Sequence, residues 1–199
     1  MKKAIVPLMT LLGAVAVWGI SPAARAQNLL TNGSFESGSF SGWTTGGNFN
    51  DTGVQCGSTY DGYSAQSGSC FAYFGPVGSD GVLSQTFNDT AGSTLHVSGW
   101  LQGDGSSPSD WSLLVNGTPY VSINPVPAQP WTQYSFTTTA TGSDTFSVAF
   151  RNDPSYDAMD NFSVTEGTAT VPEPSTLALF GVGALGLLFA LRRRRRIEG

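Results

Sequence analysis

Charge is scarce in this chain of 199 residues. Asp, Glu, Lys and Arg together make up 12% of it, about half the usual ~25%. Between Gln27 and Thr170 there is no lysine at all, and Arg151 is the sole basic residue against twelve acids, a net charge of −11. A nucleic-acid binder needs a basic footprint, so that class is excluded. Histidine occurs once, as His96, and cysteine twice, as Cys56 and Cys70. That is too few for a Cys/His zinc site. No Gly-x-Ser-x-Gly elbow or other nucleophile motif is present, so the lone His96 is read as structural and the chain as non-enzymatic. Scattered acids could supply a two-carboxylate glycosidase pair, but 144 residues is small for a cleft enzyme. Sustained helical periodicity is also missing, which excludes a bundle or coiled coil.

What is present falls into three segments. Residues 1–26 read as a secretory signal peptide. Lys2 and Lys3 precede an apolar run from Ala4 to Ile20, Ser21-Pro22 breaks it, and Ala24-Arg25-Ala26 gives the small-x-small pattern for cleavage after Ala26. The expected partners of this segment are the Sec machinery and signal peptidase. Residues 171–199 form the other end. Pro172-Glu173-Pro174 precedes an apolar stretch, Ser175 to Leu191, and then Arg192, Arg193, Arg194, Arg195 and Arg196. At roughly 1.5 Å per residue the stretch makes a short membrane-spanning helix of about 25 Å. The arginines hold its end in the cytoplasm.

This triplet, apolar helix and arginine run resemble the PEP-CTERM sorting signal. The resemblance implies an exported protein of a Gram-negative bacterium, of the kind associated with exopolysaccharide and biofilm matrix. It implies an exosortase that recognises and removes the tail. The protein would pass through the inner membrane and reside on the outer cell surface or outside the cell. A plain C-terminal anchor is the alternative.

The middle segment, residues 27–170, has the size of one domain. Short runs alternate with period two. Leu95, Val97, Gly99 and Leu101 share one face, and His96, Ser98 and Trp100 the other. Tyr134 and Phe136 alternate with polar residues, as do Phe146, Val148 and Phe150. Asn116-Gly117 between two apolar runs marks a hairpin. Met159 and Phe162 fall out of phase unless a bulge at Asp160-Asn161 turns both inward and keeps Asp160 from solvent. Many short strands with Gly-rich turns imply an all-β antiparallel sandwich.

Asn28-Leu29-Leu30-Thr31-Asn32-Gly33-Ser34-Phe35-Glu36 with Gly42-Trp43 resembles the opening strand of galactose-binding-like jelly rolls, including carbohydrate-binding modules of families 4, 9 and 22. Met159-Asp160-Asn161-Phe162-Ser163-Val164 is similar to their closing strand. The resemblance implies a jelly roll and a non-catalytic module for a glycan such as an exopolysaccharide. A structural biofilm-matrix protein without a specific ligand is the alternative. Modules of this type often hold a structural Ca2+ between first and last strands, which implies Glu36 and Asp160 as metal ligands. The alternative is that Glu36 is a solvated turn residue and Asp160 satisfies backbone N–H groups at the bulge.

Export makes a Cys56–Cys70 disulfide the expectation. It closes a Gly/Ser-rich loop, Gly57 to Ser69, that is expected to hold no shape by packing. A flat indole face can stack on a sugar ring, so Trp111, which follows a polar loop, and Trp100 are the candidate ligand-binding residues. Trp43 is expected to be structural.

Overall fold

The computed structural model describes residues 26–153 and 155–167. The signal peptide through residue 25 and the whole tail lie outside the described residues. No helix among the described residues is long and apolar enough to cross a membrane.

Ten strands form the domain: β1 (Thr44–Gly47), β2 (Thr52–Cys56), β3 (Cys70–Phe74), β4 (Gly81–Asn88), β5 (Thr94–Gly103), β6 (Ser109–Val115), β7 (Thr118–Ile123), β8 (Gln129–Thr139), β9 (Ser143–Asn152) and β10 (Asp157–Glu166). They make two five-stranded sheets, ordered β1-β4-β9-β6-β7 and β2-β3-β10-β5-β8. Every pairing is antiparallel. The protein is an all-β sandwich of two antiparallel sheets, as the alternation of the sequence requires.

The period-two runs lie where expected. Leu95, Val97 and Leu101 on β5 and Phe146, Val148 and Phe150 on β9 all point into the core. Asn116 and Gly117 both have positive φ, at 51° and 75°, which is the primed turn that matches strand twist between β6 and β7. The bulge in β10 falls between Asp160 and Ser163, with Asn161 at φ 52°. It buries Met159, Asp160 and Phe162 together.

Aromatic rings fill the centre. Phe162 packs on Phe35, Trp43, Phe146 and Trp111 at centroid distances of 5.9, 5.9, 5.5 and 6.4 Å. Gly99 has no room for a side chain, because a Cβ there would stand 2.5 Å from the Phe162 ring. Trp43 is buried, and its Nε1–H donates to the Asn32 carbonyl at 3.1 Å. It is structural, as expected.

The opening segment departs from a regular strand. Asn28 makes a single bridge to Thr165, after which turns begin at Asn32 and Phe35, both at positive φ. Side-chain bonds supplement two backbone bonds, from the Leu29 N–H to the Val164 carbonyl and from the Phe162 N–H to the Gly33 carbonyl, each at 2.8 Å. Asn28 Oδ1 accepts from the Val164 N–H and its Nδ2 donates to the Phe162 carbonyl. Opening and closing motifs therefore meet, through backbone and side-chain bonds together.

Candidate functional site

The sheet β2-β3-β10-β5-β8 has one face on the core and one turned outward. Register fixes what the outward face carries. His96, Ser98 and Trp100 of β5 lie between Thr137, Ser135 and Gln133 of β8 and Thr165, Ser163 and Asp160 of β10. These are cross-strand rows, and side chains in a row are near neighbours.

Two adjoining hollows follow these rows. The larger, about 540 Å3, is lined by Asn32, Ser34, Ser98, Gln133, Asn161 and Ser163 among others. The second, about 330 Å3, shares Ser98 and Ser163 and continues along His96, Ser135, Thr137 and Thr165. The polar part of the lining is hydroxyls, carboxamides and one imidazole, with Leu30, Phe162, Val97 and Phe136 beside them. Such polar groups both donate and accept hydrogen bonds.

The disulfide loop adjoins this trough through Asn161, whose Nδ2 donates to Gln66 Oε1 and Ser67 Oγ. Cys56 and Cys70 are bonded, and they are register partners at the ends of β2 and β3. The enclosed loop is packed, contrary to the sequence expectation. Tyr63 is buried with Phe71 and Ala158, and Tyr60, Ala65, Tyr73, Trp131 and Tyr156 pack around them. Tyr60 stacks on Tyr73 with centroids 3.8 Å apart, and Tyr156 stands edge-on to Tyr60 at 5.2 Å. The Trp131 Nε1–H donates to the Ser64 carbonyl. A positive-φ pair, Asp61-Gly62, makes the tight turn between Tyr60 and Tyr63. The tyrosines, spaced among Gly and Ser, were the overlooked sequence signal.

Two carboxylates hold the same loop. Glu36 Oε1 accepts the N–H groups of Ser69 and Cys70, each at 2.9 Å. Asp160 Oδ2 accepts those of Gln66 and Ser67, at 3.0 and 3.5 Å, and its Oδ1 that of Asn161. Asp160 is fully buried. Burial, with the Glu36 charge nearby, pushes its carboxyl up to about 7 despite these backbone N–H groups. Among the described residues no group of three or more His, Cys, Asp or Glu is arranged to hold a metal. Glu36 and Asp160 are a pair, so any ion there would draw its other oxygens from backbone or water.

Trp111 is not a platform. It is fully buried, tilted against Tyr134 at 5.6 Å and parallel to Phe162. The reason is register: Ser109, Trp111, Leu113 and Val115 form the inward face of β6. Alternation with Leu113 and Val115 outweighs the polar loop before it. Trp100, by contrast, is half-buried on the outward face between Gln133 and Asp160. Sequence reasoning had passed over Gln133 and Asn161, although Gln133 sits in phase opposite Tyr134.

Residues 170–195 match the family described as the PEP-CTERM protein-sorting motif. No curated protein matches the chain. Among solved structures, the fold resembles TmCBM61 in complex with β-1,4-galactotriose, with TM-score 0.58, 20% identity and coverage of 71% of this chain and 100% of that one. It resembles the CBM22-1 xylan-binding domain of Paenibacillus barcinonensis Xyn10C at TM-score 0.50 and 19% identity, covering 75% and 100%. It also resembles Clostridium thermocellum Xyn10B CBM22-1-GH10 modules complexed with xylohexaose at TM-score 0.51 and 17% identity, covering 72% of this chain and 29% of that one. The chain thus joins a PEP-CTERM sorting motif to a β-sandwich with the fold of carbohydrate-binding modules.

Proposed function

We propose that this is an exported, non-catalytic module that binds a neutral glycan along the outward face of the sheet β2-β3-β10-β5-β8. The observation that carries the reading is the trough itself. Asn32, Ser98, Gln133, Asn161 and Ser163 line it without a charged side chain. Sugar hydroxyls want partners that donate and accept, and carboxamides and hydroxyls do both. The half-buried Trp100 adds an apolar surface beside Gln133, suited to the C–H face of a sugar ring. The likeness in fold to a module seen in complex with β-1,4-galactotriose and to a xylan-binding domain supports the same class of ligand.

Calorimetric titration with β-1,4-galactotriose, xylohexaose and the host's own exopolysaccharide tests it. Gln133→Ala and Trp100→Ala should each weaken binding about tenfold or more, because a lost bond to a well-placed ligand group is worth about 1–1.5 kcal/mol. Absence of binding to these probes and across a glycan array would leave a structural matrix protein instead.

The tail reading completes the proposal: the segment at 170–195 delivers the domain to exosortase, and the processed domain resides on the cell surface or outside it. Within the domain, a structural Ca2+ at Glu36 and Asp160 would neutralise two carboxylates that converge on one loop. Glu36→Gln should then abolish any rise in unfolding temperature given by calcium at that site.

A further inference from the structure

A second group of buried oxygens lies at the end of the sandwich where the two sheets meet. Asn152 ends β9 in one sheet, and Asp157 begins β10 in the other. Asp104 follows directly on β5. Asn152 and Asp157 are both fully buried. Asp157 Oδ1 accepts the Asp104 N–H at 3.0 Å, and Asn152 Nδ2 reaches Asp104 Oδ1 at 3.4 Å. Asp157 Oδ2 and Asn152 Oδ1 are left with no hydrogen-bond donor.

Two acceptor oxygens orphaned in one buried group are costly, since each forfeits its hydration without replacement. Turning the Asn152 carboxamide over does not cure this. Its oxygen would then face the Asp104 carboxylate, again acceptor against acceptor. No basic side chain serves the group: Arg151 is the sole basic residue of the segment and pairs with Asp153. What the arrangement lacks is a positive charge.

We propose that Asp157, Asn152 and Asp104 form a calcium site, separate from Glu36 and Asp160, that ties β9 to β5 and β10. Asp157 Oδ2 and Asn152 Oδ1 supply inner ligands and Asp104 a carboxylate at the exposed rim. The Ser155 hydroxyl, which helps hold the Asp104 carboxyl below its ordinary value, is the next oxygen at hand. An all-oxygen set of this kind suits a hard cation, and Ca2+ accepts irregular geometry with waters completing six to eight ligands. Mg2+ demands a near-ideal octahedron that this set does not promise. Burial holds the Asp157 carboxyl up at about 7, with the Asp104 charge adding to the effect.

The test is calcium titration of the purified, metal-stripped protein at pH 8, followed by calorimetry and thermal unfolding. Asp104 is exposed, so Asp104→Asn should fold normally. It should bind one calcium fewer than the unsubstituted protein, or bind that ion at least tenfold more weakly. Glu36→Gln, which disables the other proposed site, should retain this ion, and adding Asp157→Asn should remove it. Identical titrations for the unsubstituted and Asp104→Asn proteins would overturn the proposal, as would loss of all binding in Glu36→Gln. A calcium-insensitive protein whose midpoint moves with pH would overturn it too, and would assign the orphaned pair to a protonated Asp157 donating to Asn152.

Discussion

Trp111 sits among Phe162, Tyr134 and Gly99 in the core, so Trp111→Ala should destabilise the domain by about 3–5 kcal/mol. Its buried Nε1–H has no acceptor. Trp111→Phe should therefore cost much less, because the ring remains while the unpaired donor goes. Urea unfolding of the two variants separates the terms. Equal losses would contradict this, because the alanine removes far more buried volume than the phenylalanine. At the same scale, Asp157 and Asp160 carry carboxyls raised to about 7. Asp104 and Glu36 are the charges facing them. A carboxyl raised in the fold keeps its proton where the unfolded chain has lost it, so stability falls as pH rises from about 4 to 7. Asp144 acts oppositely. Burial pushes its carboxyl up, but bonds from Thr141 and Asn116 outweigh that and hold it at about 2. Its contribution is present above about pH 4 and fades toward pH 2. Metal-free protein should thus melt highest near pH 4–5 and lower at pH 8. A midpoint that is flat or rising over pH 5–8 in chelator would contradict this.

Elements divide into those the sequence spells and those it does not. β5, β9 and the β10 bulge were legible because burial on one face forces alternation, and a break in phase between Met159 and Phe162 admits few geometries. The inward face of β6 was equally legible at Leu113 and Val115, and only the polar loop before Trp111 misled. The Gly57–Ser69 loop was not legible, because its support is non-local: Asp160 binds it across 94 positions and Glu36 across 33. The trough was half-visible, in His96, Ser98 and Trp100 sharing a face. The rows that complete it, from β8 and β10, depend on pairings that no local pattern states. Because the loop is held by packing as well as by the Cys56–Cys70 bond, a Cys56→Ser, Cys70→Ser protein should fold. It should be less stable by about 3 kcal/mol, the entropy of freeing a loop of about this length. Thermal unfolding under oxidising and reducing conditions measures it. If the difference vanishes, the side-chain cluster around Tyr63 and the two carboxylates alone fix the loop.

At the scale of the whole chain, charge is sorted by segment. The sandwich carries one arginine and twelve acids, whereas five arginines are gathered at residues 192–196. An apolar run of this length would span a bilayer only marginally, and the arginines would set its orientation. Neither feature needs Pro172-Glu173-Pro174. A plain anchor would accept any flexible residues there. Two prolines disfavour helix and remove backbone donors, which would suit a protease that binds extended chain. The match of residues 170–195 to the PEP-CTERM protein-sorting motif supports processing by an exosortase. The mature protein should therefore end near this triplet and lack all five arginines. The net charge of −11 through Thr170 would then favour solubility by self-repulsion. Intact-mass measurement on protein recovered from the native host reads the outcome directly. A mass that includes the arginine run at steady state would mean that the tail anchors the domain, and that the trough faces whatever glycan reaches it in the periplasm.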